Sequence, residues 1–283
     1  MPVFDLLRFS LSAPAETPLL EGVDKQKPSM SRQDFLRFIF GGRCEFVHFG
    51  KTYVFTPSPT NTDSDPMVSG YIGKEISRDV QSGPENLHAM TTSSSWAASF
   101  LVMDTRPAEQ VLYFEERTDV GSSKAVLLSL AAERVSQFRG TSWVVDIEHK
   151  TRISDFWEAV DKFKGSITQV DFEFVPANGL EGYDMVKNLH KHFTEPSNAD
   201  QSGISIKNSK GELVPKGDYV EGALQYAAEG VGKTKIKSGR KVIFSSEEGK
   251  ETKEAPEELM PRDAEQPKIL GLISYLFGRS HDK

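Results

Sequence analysis

One cysteine, Cys44, occurs in 283 residues. That excludes a disulfide within the chain and a cysteine-built zinc cage, and it suits a reducing compartment. No apolar run approaches the roughly 20 residues that a bilayer-spanning helix needs. The opening MPVFDLLRFSLSAP has neither the basic start nor the unbroken apolar stretch of a signal peptide. The expectation is a cytoplasmic protein with no integral membrane segment. Positive charge is outnumbered, 34 Lys and Arg against 41 Asp and Glu: the formal net charge is −7, so contact with nucleic acid would need a local basic patch rather than a global field. Apolar residues make up only 37% of the chain and charged residues 27%. Because much of that polarity is local, the chain reads as globular with disordered pieces.

Catalytic constellations are equally hard to find. His190 and His192 are the closest histidine pair, but two positions apart on a predicted helix they diverge. No second ligand cluster lies near them in sequence, so neither a metal nor a cofactor is expected. Cys44 and Ser93–Ser95 lack a nucleophile motif, and no triad spacing is present. No internal repeat appears at periods of about 20 to 50 residues.

The pattern that is present comes in pairs of strands with helices between them. Val3–Leu11 reads as a strand, and 13–28 as an exposed connection. Ser31–Asp34 resembles a capping box ahead of Phe35, Leu36, Phe38 and Ile39. CEFVHF and TYVFT flank a tight turn at Gly50-Lys51, and VSGYIGKEI is a further strand. The polar run 81–95 is expected to be mobile. Strands at 97–104 and 110–116 pair around a Thr-Arg-Pro turn. Ser123–Phe138 carries a helical apolar stripe, and 143–147 is β-rich. Ser154 is placed as the cap of a helix ending at Gly165, and ITQVDFEFV alternates as a strand. A helix over 182–193 follows, then a hairpin built from SGISIKN and a turn at Gly211. A last helix spans 218–229, with Asp218 as its N-cap and Gly230 at its end. The fold class is α+β, with antiparallel, hairpin-rich sheets, interspersed helices and two lobes. The division expected is 1–140 and 141–246, then an acidic disordered linker over 247–267 and an amphipathic helix over 268–283.

One stretch imitates a phosphate-binding loop. In EGVGKTKIK, Gly232-Lys233-Thr234 matches the end of that motif, but its first glycine falls on Ala227. A helix precedes it and a β-rich segment follows, the reverse of the order that points backbone N–H groups at phosphate. What remains is Lys233, Lys235, Lys237, Arg240 and Lys241, with no acid between Gly230 and Ser246. On a strand the first three share a face. A basic β-ribbon of this kind suits a nucleic-acid backbone, while a solvated edge strand guarded by lysines explains the same spacing. Asp171 and Glu173 share the outer face of their strand. They are either its solvent side or the acids of a metal-dependent nuclease.

The tail from Glu247 to Lys268 holds eight acids, four bases and three prolines, the composition of a disordered tether. Beyond it, Ile269, Leu272, Ile273, Leu276 and Phe277 fall on one helical face. That face could dock on its own domain or enter the groove of a protein partner.

FVHFGKTYVFT in the first half, and VDFEFVPANGLEGYDMVKNLHKHF followed by GISIKNSKGELV in the second, are similar to the family of the phage-exclusion protein RexA and related proteins of prophages and bacterial defence loci. The resemblance runs in order over most of the length, although GVGKTKIKSGRK has no counterpart there. It implies a non-enzymatic, DNA-binding role in phage exclusion, exercised as a homodimer. The combined expectation is a nucleic-acid-binding defence protein that contacts phosphate through 233–241. A metal-dependent nuclease and a pure protein-interaction component are the rivals.

Overall fold

The computed structural model describes residues 1–13, 28–81, 90–174, 186, 188, 202–261 and 266–278. Two antiparallel sheets with helices against them form the expected α+β fold. The larger sheet takes β1 (Val3–Ser12), β2 (Cys44–His48), β3 (Lys51–Pro57), β4 (Met67–Gln81), β5 (Met90–Asp104), β6 (Val111–Glu115) and β7 (Val144–His149). The smaller sheet takes β8 (Gln169–Phe174), β9 (Ser202–Lys207), β10 (Gly232–Ser238) and β11 (Lys241–Ser245), in the order β11-β10-β8-β9. The chain then returns to the larger sheet as β12 (Thr252–Glu254), whose order is β12-β1-β6-β5-β4-β3-β2 with β7 also on β1.

β1 is buried on both faces because both are covered. On one side lie α1 (Arg32–Phe40) and α2 (Ser123–Gln137), which bring Phe35, Ile39, Phe40, Val126, Leu127 and Leu130 onto Leu7, Phe9 and Leu11. Ser31 caps α1 as its sequence implies, accepting from the Asp34 amide at 3.1 Å. Arg134 of α2 donates to the carbonyls of Ile39 and Gly42, satisfying acceptors that the end of α1 leaves open. The β2–β3 hairpin forms where expected, but it pairs Cys44 with Phe55 and His48 with Lys51, so its two-residue turn is Phe49-Gly50 rather than Gly50-Lys51 and Phe49 stands outside the strand. In the smaller sheet, α3 (Ile153–Lys162) and α4 (Asp218–Tyr226) cover Val170, Phe172, Phe174 and Ile236.

Several expectations change. β7 and β12 both pair with β1, so the strand placed in the second lobe, and part of the acidic stretch placed in a tether, complete the larger sheet. Backbone bonds won over composition there: Val3 faces Glu254 and the Ala255 amide donates to Pro2. Met90–Ser95 of the polar run belongs to β5, paired along its length with β4. Arg152, not Ser154, holds the cap position of α3, and Gly217 precedes α4 where Asp218 was expected. β9 pairs with β8 instead of forming a hairpin around Gly211. The connection at 14–27 and most of the helix at 182–193 lie outside the described residues.

Candidate nucleic-acid interface

β10 sits inside its sheet, between β8 and β11. Thr234 and Ile236 point to the helix-covered side and are buried, which leaves Lys233, Lys235 and Lys237 on the opposite face. The register sets Lys233 across from Glu173, Lys235 across from Asp171 and Lys237 across from Gln169. The basic row therefore lies beside an acidic row. Lys237 Nζ stands 2.8 Å from Asp171 Oδ2. Lys233 Nζ is 3.0 Å from Glu247 and 3.6 Å from Glu148. Burial pulls Lys233 down, but these carboxylates outweigh it and keep the ammonium above the ordinary lysine value. Lys235 makes no ion pair among the described residues.

Asp171 also accepts from Gln169 Nε2 at 2.6 Å and from Ser205 Oγ at 2.7 Å. Burial pushes its carboxyl up, yet the bonds from Gln169, Lys237 and Ser205 prevail and hold it below the usual carboxylate range. Three donors already occupy this acid. Among the described residues, no three His, Cys, Asp or Glu side chains converge as a metal would require.

Gly232-Lys233-Thr234 opens a strand after the helical stretch ending at Val231, so it is not the entry to a helix. A Cβ on Gly232 would lie 2.2 Å from the Glu173 carbonyl, so close packing on β8 accounts for this glycine. The Thr234 amide donates to Ser246 Oγ at 3.0 Å.

The acids around Lys233 belong to a junction between the sheets that the sequence did not reveal. Glu148 of β7 is only 7% exposed and accepts from Lys124 Nζ at 2.6 Å. With Ser122, His149, Gly232 and Glu247 they line a cleft of about 200 Å³. Burial drives Glu148 above the usual carboxylate range despite Lys124, and Asp146 likewise. Beside it, Lys250 bridges Asp5 at 2.7 Å and Glu116 at 2.8 Å. No motif spacing announces this network, because its members come from four separated segments.

At the hairpin tip the picture reverses. Gly239-Arg240 forms a two-residue turn, with Ser238 paired to Lys241 and Gly239 at φ +60, a conformation that suits glycine at this first position. Arg240 and Lys241 are exposed.

The residues assigned to a protein partner take another place. α5 (Gln266–Phe277) lies on the second face of the larger sheet, where Ile269, Leu272 and Leu276 are buried with Phe4, Met67, Phe100 and Val102. Ile273 and Phe277 pack at the margin, Phe277 edge-on to Tyr113 at 5.0 Å. Lys253 donates to the carbonyls of Tyr275 and Leu276, closing the helix end. The protein's own core consumes this face. No helix among the described residues is long and apolar enough to cross a membrane. No protein-family model, curated protein or solved structure matches the chain.

Proposed function

We propose that the protein binds nucleic acid, DNA foremost, without catalysing a reaction on it, and serves phage exclusion or antiviral defence as a cytoplasmic homodimer. The defence setting, the compartment and the dimer rest on the resemblance to the RexA family. The contact itself rests on one observation: Arg240 and Lys241 stand exposed at the β10–β11 turn, with Lys235 behind them free of ion pairs among the described residues. Lys233 and Lys237 are committed to Glu148, Glu247 and Asp171, so in this reading Lys237 ties β10 to β8 and Lys233 reaches across to the larger sheet.

Fluorescence anisotropy with a labelled DNA duplex over a salt series tests this. Two to three phosphate contacts at this tip alone predict that affinity falls at least about 10- to 40-fold between 50 and 200 mM salt. Arg240→Glu with Lys241→Glu should lower affinity at least tenfold at low salt while leaving the melting temperature unchanged. Absence of binding at low salt would overturn the reading, and Mg²⁺-dependent cleavage of the duplex would replace it with the nuclease.

A further inference from the structure

The β10–β11 tip does not stand alone. Thr168, just before β8, joins three turns that are remote in sequence. Its amide and its hydroxyl both donate to the Lys237 carbonyl, at 2.9 and 3.1 Å, and its hydroxyl oxygen accepts from the Gly239 amide at 2.9 Å. Its carbonyl accepts from the Asn208 amide at 2.9 Å. Gly211, at φ +81, packs against Gly165 and Ser166, within 3.6 Å of the position a Cβ would take. The turn after α3, the turn after β9 and the β10–β11 tip therefore lie at one end of the smaller sheet.

Each turn carries cations. Lys164, Lys207, Lys210, Arg240 and Lys241 are all exposed, and none makes an ion pair among the described residues. Across 161–168, 207–213 and 237–241 there are seven cations against two acids, Asp161 and Glu212, in a chain whose net charge is −7. Positive charge is thus concentrated where the fold, rather than the sequence order, brings it together. With strands about 4.8 Å apart, a four-stranded end is roughly 14 Å wide. That is broad enough for several phosphates of one backbone.

We infer that Lys164, Lys207 and Lys210 complete a phosphate-binding surface with Arg240 and Lys241, and that this surface grips the nucleic-acid backbone independently of base sequence. The inference rests on the nucleic-acid reading and assigns it three residues that the basic ribbon alone would not include. Five contacts imply a slope of log K against log salt of about −4.5, and three fewer imply a slope nearer −1.8.

The experiment uses the full chain and compares three variants on duplex DNA, single-stranded DNA and single-stranded RNA of equal length. In the first, Lys164, Lys207 and Lys210 become Gln. In the second, Arg240 and Lys241 become Gln. In the third, Arg43, Lys51 and Arg78, exposed on the larger sheet, become Gln as a charge-matched control. Both patch variants should lose affinity and shallow the salt slope, the first by about 2.7 in slope. The control should match wild type, and two duplexes of unrelated sequence should bind alike. The ranking of the three nucleic acids identifies the natural backbone. If only the second variant weakens, the hairpin reading stands and the surface is refuted. If the control weakens as much as the first, attraction is diffuse and the surface is again refuted. If wild type binds none of the three, the nucleic-acid reading itself falls.

Discussion

Phe49 shows how a single residue can run against its surroundings. It occupies the first position of the two-residue β2–β3 turn with φ +46, next to Gly50 at φ +70, and its ring is 90% exposed. Both central residues of such a turn need positive φ, which Asn-Gly supplies with far less strain than a bulky side chain. Phe49→Asn should therefore raise stability by about 0.5–1 kcal/mol, since little buried area is lost. Urea unfolding midpoints would register the gain, and a loss would show that the ring contributes more than its contact with His48 suggests. The lysines of β10 teach the complementary lesson. Their alternation was readable from KTKIK, and so was their common face. Their partners were not, because the pairing of Lys235 with Asp171 depends on which strand comes to lie beside β10.

At the scale of elements, the outcome depended on how local the cause was. The β2–β3 hairpin, α1 with its Ser31 cap and the stripe of α2 are fixed by neighbours in sequence, and they appear where the pattern puts them, save that the hairpin turns one residue earlier, at Phe49-Gly50. β12 and α5 depend on remote strands. An acidic, proline-bearing stretch looked like a tether because composition does not record that β1 has a free edge at Val3–Asp5 for it to join. The amphipathic face of α5 was legible, but its destination on Phe4 and Phe100 was not. Leu272 and Leu270 separate the two uses of this helix. Leu272 is fully buried and Leu270 is 41% exposed. Leu272→Ala should cost about 2–5 kcal/mol, whereas Leu270→Ala should stay within about 0.5 kcal/mol. Thermal melting of both variants would check this. Equal, small effects would mean the helix is released in solution and free for a partner after all.

On the scale of the whole molecule, two sheets with separate cores meet through backbone hydrogen bonds, such as that from the Thr151 amide to the Ala228 carbonyl, and through a cluster of charges. Glu148 comes from the larger sheet, Lys233 from the smaller, Glu247 from the chain leaving β11, and Lys124 from the first turn of α2. An ionic junction of this kind contributes less net stability than its short distances suggest, because each ion has lost water. Glu148 shows which effect wins: burial raises its carboxyl above the usual range, and the nearby Lys124 and Lys233 only moderate the rise. A folded-state value above the unfolded one means that the folded chain takes up this proton first as pH falls. Charged Glu148 is thus a burden above its folded-state value, relieved as pH falls toward the unfolded value. Glu148→Gln fixes the side chain in a neutral form at every pH. Its melting temperature relative to wild type should therefore rise between about pH 4.5 and pH 8, whatever the absolute offset from leaving Lys124 and Lys233 with one acceptor fewer. Paired melts of variant and wild type across that range cancel the other titrating groups. A relative melting temperature that falls with rising pH would mean that Lys124 and Lys233 outweigh burial, making the junction a net attractive clamp between the sheets.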